Sequence, residues 1–201
     1  MKPSLIAFFA TVTFCTLIAG HAAAIIVSGD APQEAVFAEP TDYPEVIPLL
    51  DGRAVGTLVA DIWIVTAAHV GQIIDRNAEV EGIVVGGKSN GISAVFIHPS
   101  WDDAAVGAPG VIDIALLQLA RPVSGLRPAP LYRGKNELDS IVTLVGWGRT
   151  GDGMKDNLVR DGRFRRGENR VDAVTPRLRF RFDEPGSARA LPLEAVSGPR
   201  G

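Results

Sequence analysis

From Val55 onward the chain is cut into apolar runs of five to seven residues with turn-forming residues between them. The runs cover 55–60, 62–66, 80–85, 92–98, 114–119 and 141–147, and Gly86-Gly87, Asn90-Gly91, the glycines of 107–110 and Arg133-Gly134 punctuate them. Runs this short cannot sustain helical periodicity, and glycine and asparagine at their ends favour tight turns. Only the stretch 67–74 reads as a short helical turn. Many short strands with little helix predict an all-β fold, a barrel or a sandwich. Residues 28–48, rich in Pro, Asp and Glu, read as an extended lead-in. Residues 121–130 hold Pro122, Pro128 and Pro130 and read as a linker between two β units.

The first two dozen residues form a different kind of segment. Lys2 supplies a positive head, residues 5–18 are mostly apolar, and Ala22-Ala23-Ala24 offers the small residues a signal peptidase needs. The apolar run falls short of the ~20 residues a bilayer span requires. The expectation is an export signal at 1–24, cleaved after Ala24, and a secreted or periplasmic product that leaves the membrane once processed. Cys15, the only cysteine, lies in that signal, so the exported chain has no disulfides. That composition points to a bacterial secreted protein. Nothing in a net charge of −3 suggests nucleic acid or an anionic membrane as partner, and none is expected. Arginine and lysine crowd 149–181, but acidic residues are interspersed, and this stretch reads as solvated hairpin faces. Beyond the signal only His69 and His98 remain, with no cysteine beside them, so no metal or other cofactor is expected.

Three short motifs carry chemistry. Trp63-Ile64-Val65-Thr66-Ala67-Ala68-His69 runs an apolar strand into two alanines, whose small side chains allow close packing and leave an imidazole at the strand's end. Asp113-Ile114-Ala115-Leu116-Leu117 opens a second apolar strand with a carboxylate, 44 residues after the histidine. A buried carboxylate there would accept a hydrogen bond from one imidazole nitrogen, fixing the tautomer and stabilising the imidazolium. Asp102 and Asp103 are rival carboxylates in a loop-like context. Gly146-Trp147-Gly148 follows a third apolar strand. Read alone, a histidine is usually structural and an aspartate at a strand's start is usually a cap.

In this order, with His98-Pro99-Ser100-Trp101 between the first two, the motifs resemble those of trypsin-like serine proteases. The resemblance implies a two-barrel chymotrypsin-like fold, with a peptidase domain over 25–201: first barrel 25–120, linker 121–132, second barrel 133–201. It makes His69 the general base and Asp113 its orienting acid, with protein or peptide as substrate, and it gives His98 no catalytic part. Ile26-Val27-Ser28-Gly29 is similar to the family's freed amino terminus. The family's Gly-Asp-Ser-Gly-Gly, which supplies the nucleophile and the oxyanion donors, has no counterpart in the 201 residues. The serines after the linker are Ser140, Ser187 and Ser197. Ser197 echoes the motif through Ser197-Gly198-Pro199, yet Ala195-Val196 stand where Gly-Asp is needed. Leu191-Pro192-Leu193 reads like a strand heading into further fold, so the expectation is a truncated second barrel beside a complete first one. Three readings follow: a serine endopeptidase whose nucleophile lies in sequence outside these residues, a catalytically inactive homologue that binds proteins, and a nonfunctional truncated product. Oligomeric state has no signature here.

Overall fold

Antiparallel register, set by alternating burial, builds the part of the molecule that carries His69. In the computed structural model, residues 25–77, 82–105, 108–151, 159–175 and 177–197 are described. The expected export signal lies outside them. β1 (Ile25–Val27), α1 (Gln33–Val36), β2 (Val46–Leu49), β3 (Ala54–Ala60), β4 (Trp63–Thr66) and α2 (Ala68–Arg76) come first. β5 (Ile83–Val85), β6 (Lys88–Asn90), β7 (Ile92–Ile97) and β8 (Ala115–Leu119) complete the first half. The second half holds β9 (Ile141–Gly146), β10 (Arg149–Thr150), β11 (Val159–Arg160), β12 (Arg165–Val174), β13 (Leu178–Phe180) and β14 (Ala195–Ser197).

Five strands pair in the order β2-β3-β4-β8-β7, each antiparallel to its neighbour. Leu49, Leu58, Ile64, Leu117 and Leu119 alternate inward along these strands and are buried. Val70 and Ile74 of α2 close over them. Each fully buried aliphatic side chain contributes ~1.5–3 kcal/mol through removal from water, so this cluster is the stable base of the first half. Thr66, at the end of β4, is buried but satisfied: its hydroxyl donates to the Val55 carbonyl at 2.8 Å. Residues 121–130 run along this unit, where Val123 N–H donates to Asp61 O and Ala129 N–H to Leu58 O, both at 2.8 Å.

The second half is built on β12, which pairs with β9 on one side and β13 on the other. The solvated faces expected for 149–181 hold for most of its arginines, which are exposed, but not for one face of β12. Arg165, Gly167, Asn169 and Val171 alternate inward along β12. Buried polar groups cost free energy unless partnered, and these are partnered. Arg165 forms an ion pair with Asp161, and the Asn169 amide donates to the carbonyls of Ala195 and Arg181 at 2.6 and 2.9 Å. Strand β1 lies against β14, with Ile25 opposite Ser197 and Val27 opposite Ala195. The segment 28–48 is not a plain extended lead-in: it forms α1, a 3₁₀ turn at Pro40–Asp42 and β2. Likewise Leu191-Pro192-Leu193 lies in a turn, where Glu194 N–H donates to Leu191 O, and the strand begins at Ala195.

Candidate active site

His69 sits in the first turn of α2, immediately after the end of β4. Asp113 lies two residues before β8. Register puts them together, because Thr66 of β4 pairs with Ala115 of β8, so the end of one strand meets the start of the other. His69 Nδ1 is 2.8 Å from Asp113 Oδ2. With the carboxylate ionised, the ring nitrogen is the donor, which leaves Nε2 as the lone-pair nitrogen. The second carboxylate oxygen accepts the His69 backbone N–H at 3.0 Å.

That second bond has a structural origin absent from the sequence reading. The first N–H groups of a helix have no partner within it, and a side chain at the cap normally accepts one of them. Ala67 stands at the cap of α2 and offers no side-chain acceptor. Asp113, from a distant part of the chain, takes that place. The aspartate therefore orients the ring and caps the helix that carries it, and its negative charge lies at the positive end of the helix dipole. An alanine where Ser, Thr, Asp or Asn is preferred was the available signal.

The carboxylate expected to be buried is half exposed. The His69 and Asp113 side chains are 37% and 38% accessible, respectively. The rival carboxylates lie elsewhere: Asp102 Oδ1 accepts the Ala104 N–H at 3.0 Å, and Asp103 faces Arg76 at 4.0 Å. The ring of Trp101 stands beside His69, with centroids 6.3 Å apart. Trp147 packs against Phe164 in the second half of the chain, with centroids 4.3 Å apart and the rings tilted by 42°.

Among the described side chains, no serine hydroxyl is hydrogen-bonded to His69. Ser140 donates to Asn136 O at 2.7 Å, in the turn before β9. Ser187 lies in a turn, where its N–H donates to Glu184 O. Ser197 has its backbone in β14 opposite Ile25, and its side chain lies outside the described residues. Ile26 and Val27 are buried in β1, and the Ser28 N–H donates to Glu194 O at 2.9 Å. No described cluster of His, Cys, Asp or Glu has the makings of a metal site. No described helix is long and apolar enough to cross a membrane.

Comparison with known proteins bears on the family and the fold. The sequence model of the Trypsin family matches residues 37–167. Complement C1s subcomponent of Sus scrofa is 30% identical over 134 residues, which is 59% of this chain and 19% of that protein. A trypsin of Phaedon cochleariae is 34% identical over 107 residues, 47% of this chain and 40% of that one. The chain thus spans less than half the length of these curated relatives. Among solved structures, neuropsin, a serine protease of mouse brain, superposes with a TM-score of 0.50 at 18% identity, over 70% of this chain and 65% of that one. The fold is chymotrypsin-like, mostly β with few helices, and the chain belongs to the trypsin family of serine peptidases.

Proposed function

We propose that this chain carries the base-and-orienter half of a secreted serine endopeptidase, with His69 as general base and Asp113 as its orienting acid. The observation that supports the reading is the two-point contact of Asp113, to the ring and to the backbone of one histidine. One bond sets the tautomer and the other holds the residue that carries it. Nε2 is then free to take the proton of a serine hydroxyl as its oxygen attacks a peptide carbonyl. The imidazolium formed is stabilised by Asp113 and returns its proton to the departing amine, and water repeats the sequence on the acyl-enzyme. The 201 residues hold no Gly-Asp-Ser-Gly-Gly run. On this reading the nucleophile and the oxyanion donors belong to residues outside them.

Labelling with a fluorophosphonate probe tests the proposal, because the probe reacts only with an activated serine. The protein expressed from its complete gene is expected to be labelled, and His69→Ala to abolish labelling. Labelling that survives His69→Ala, or none at all in the unsubstituted protein, overturns the reading. In the second case, capture of a protein partner would favour the inactive homologue acting as a binding module. Labelling of residues 1–201 alone, lost in Ser197→Ala, would move the nucleophile into this chain.

A further inference from the structure

Asp113 is held by more than its two bonds to His69. The Ile114 carbonyl, on one side of it, accepts the His98 N–H at 3.0 Å. The Ile112 N–H, on the other side, donates to the Ser100 carbonyl at 3.4 Å. The turn His98-Pro99-Ser100-Trp101 therefore grips the backbone on both sides of the aspartate. The turn is itself closed by two bonds: Trp101 N–H to His98 O at 2.9 Å, and Ser100 N–H to His98 Nδ1 at 3.1 Å. Its last residue, Trp101, presents its ring to His69 at 6.3 Å between centroids with a 43° tilt.

Hydrogen bonding does not account for an indole here. Trp101 Nε1 is buried with no partner among the described residues. A buried unpaired donor costs roughly 1–3 kcal/mol, so a tryptophan at this point contributes through its ring. The ring that it faces is 37% accessible and has solvent as its alternative surroundings. A histidine side chain turns about two torsions, and rotation away from Asp113 would break the ring bond. A flat wall beside the imidazole narrows that choice.

We propose that Trp101 is a positioning residue: held by the His98–Trp101 turn, its indole keeps the His69 imidazole in the rotamer that meets Asp113. This rests on the reading of His69 as base, but its test does not depend on catalysis. The His69 Nδ1–H ends on Asp113 Oδ2, so its exchange with water reports directly whether the ring bond is intact. In Trp101→Ala the His69 Nδ1–H is expected to exchange about three- to tenfold faster, the range that corresponds to one aromatic contact. The amides of Leu58, Ile64 and Leu117 should hold their rates. Trp101→Phe, which keeps a ring and removes the unpaired donor, should restore protection at His69. Trp101→Leu keeps apolar bulk without a ring; it should behave like the alanine variant and replaces it if that variant fails to fold. Equal His69 exchange in the leucine, phenylalanine and unsubstituted proteins overturns the proposal. So does a loss of protection spread evenly over the core amides, which would make Trp101 a packing residue only. Failure of fluorophosphonate labelling with this exchange pattern intact would refute the catalytic reading alone.

Discussion

A methyl group added at Gly71 is expected to separate His69 from Asp113 while leaving most of the fold in place. Gly71 faces β8 and β7 from the second turn of α2. A Cβ there would lie 2.7 Å from Ala115 Cβ, 3.3 Å from Val95 Cγ1 and 3.8 Å from Ile97 Cγ1. Carbon atoms pack best at ~3.5–4.0 Å, and the Ala115 methyl sits directly on the backbone and has no rotamer to change. The helix must therefore back away by about 1 Å. Overpacking of this kind costs ~1–3 kcal/mol, while replacing a helical glycine by alanine returns ~1 kcal/mol. The net loss is about 1 kcal/mol, or ~2–4 °C in Tm for a chain of this size. The local effect is larger than the global one. Asp113 lies two residues before Ala115 and His69 two residues before Gly71, so the shift falls directly on the 2.8 Å contact between them. Another 1 Å would take that contact outside hydrogen-bonding range. Thermal melting and hydrogen exchange on Gly71→Ala check both parts. A variant that melts two to four degrees higher, with the His69 amide as protected as before, would refute the reasoning.

Three further outcomes follow from the described contacts. Leu117 is fully buried beneath α2, so Leu117→Ala should lower unfolding free energy by ~2–5 kcal/mol in urea titrations, against ~0.5 kcal/mol or less for a surface substitution. Arg165 holds the Asp161 carboxyl down from 3.8 to about 2. The depressed value means that its stabilisation is full above pH ~4 and is lost as the pH falls towards 2. Because Asp161 is 35% exposed, screening reduces the contribution to ~1 kcal/mol, and Asp161→Asn should flatten that part of the stability profile in urea titrations at a series of pH values. Burial raises the Glu194 carboxyl above its ordinary 4.5, against the pull of the Leu191 and Asp183 N–H groups. A raised carboxyl works in the opposite sense: its share of stability is present below pH ~4.5 and declines as the pH rises through the folded value. Glu194→Gln should remove that decline from the same profile.

The first half of the molecule was legible because its strands obey a two-residue alternation and its turns use glycine. The expected runs at 55–60, 62–66, 92–98 and 114–119 correspond to β3, β4, β7 and β8 with ends shifted by a residue or so, and the run at 141–147 to β9 of the second half. The run at 80–85 is seen from Ile83 on, as β5. The short helix after Thr66 was legible from its small and apolar residues. Strand β12 was not, because its inward positions are Arg165, Gly167 and Asn169, and no hydropathy pattern marks them as buried. Asn169 is tolerated through partners far away in sequence, the carbonyls of Ala195 and Arg181, and Arg165 through Asp161 four residues earlier and the face of Phe37, 5.0 Å from its guanidinium. The pairing of β1 with β14 joins the two ends of the described chain, and no local signal announces such a contact. At the site, motif order pointed to His69 and Asp113, and the register of β4 against β8 supplies the reason they meet. The capping role of Asp113 and the grip of the His98–Trp101 turn depend on backbone hydrogen bonds, which side-chain identity does not encode.

The most direct test of the account is proton NMR of histidine-labelled protein, observing the His69 Nδ1–H. A bond to Asp113 predicts a low-field resonance that exchanges slowly with water, is split by nitrogen-15, and vanishes in both His69→Gln and Asp113→Ala. Persistence of that resonance in Asp113→Ala, or a ring that carries its proton only on Nε2 at neutral pH, would contradict the pairing from which the proposed base and orienter follow.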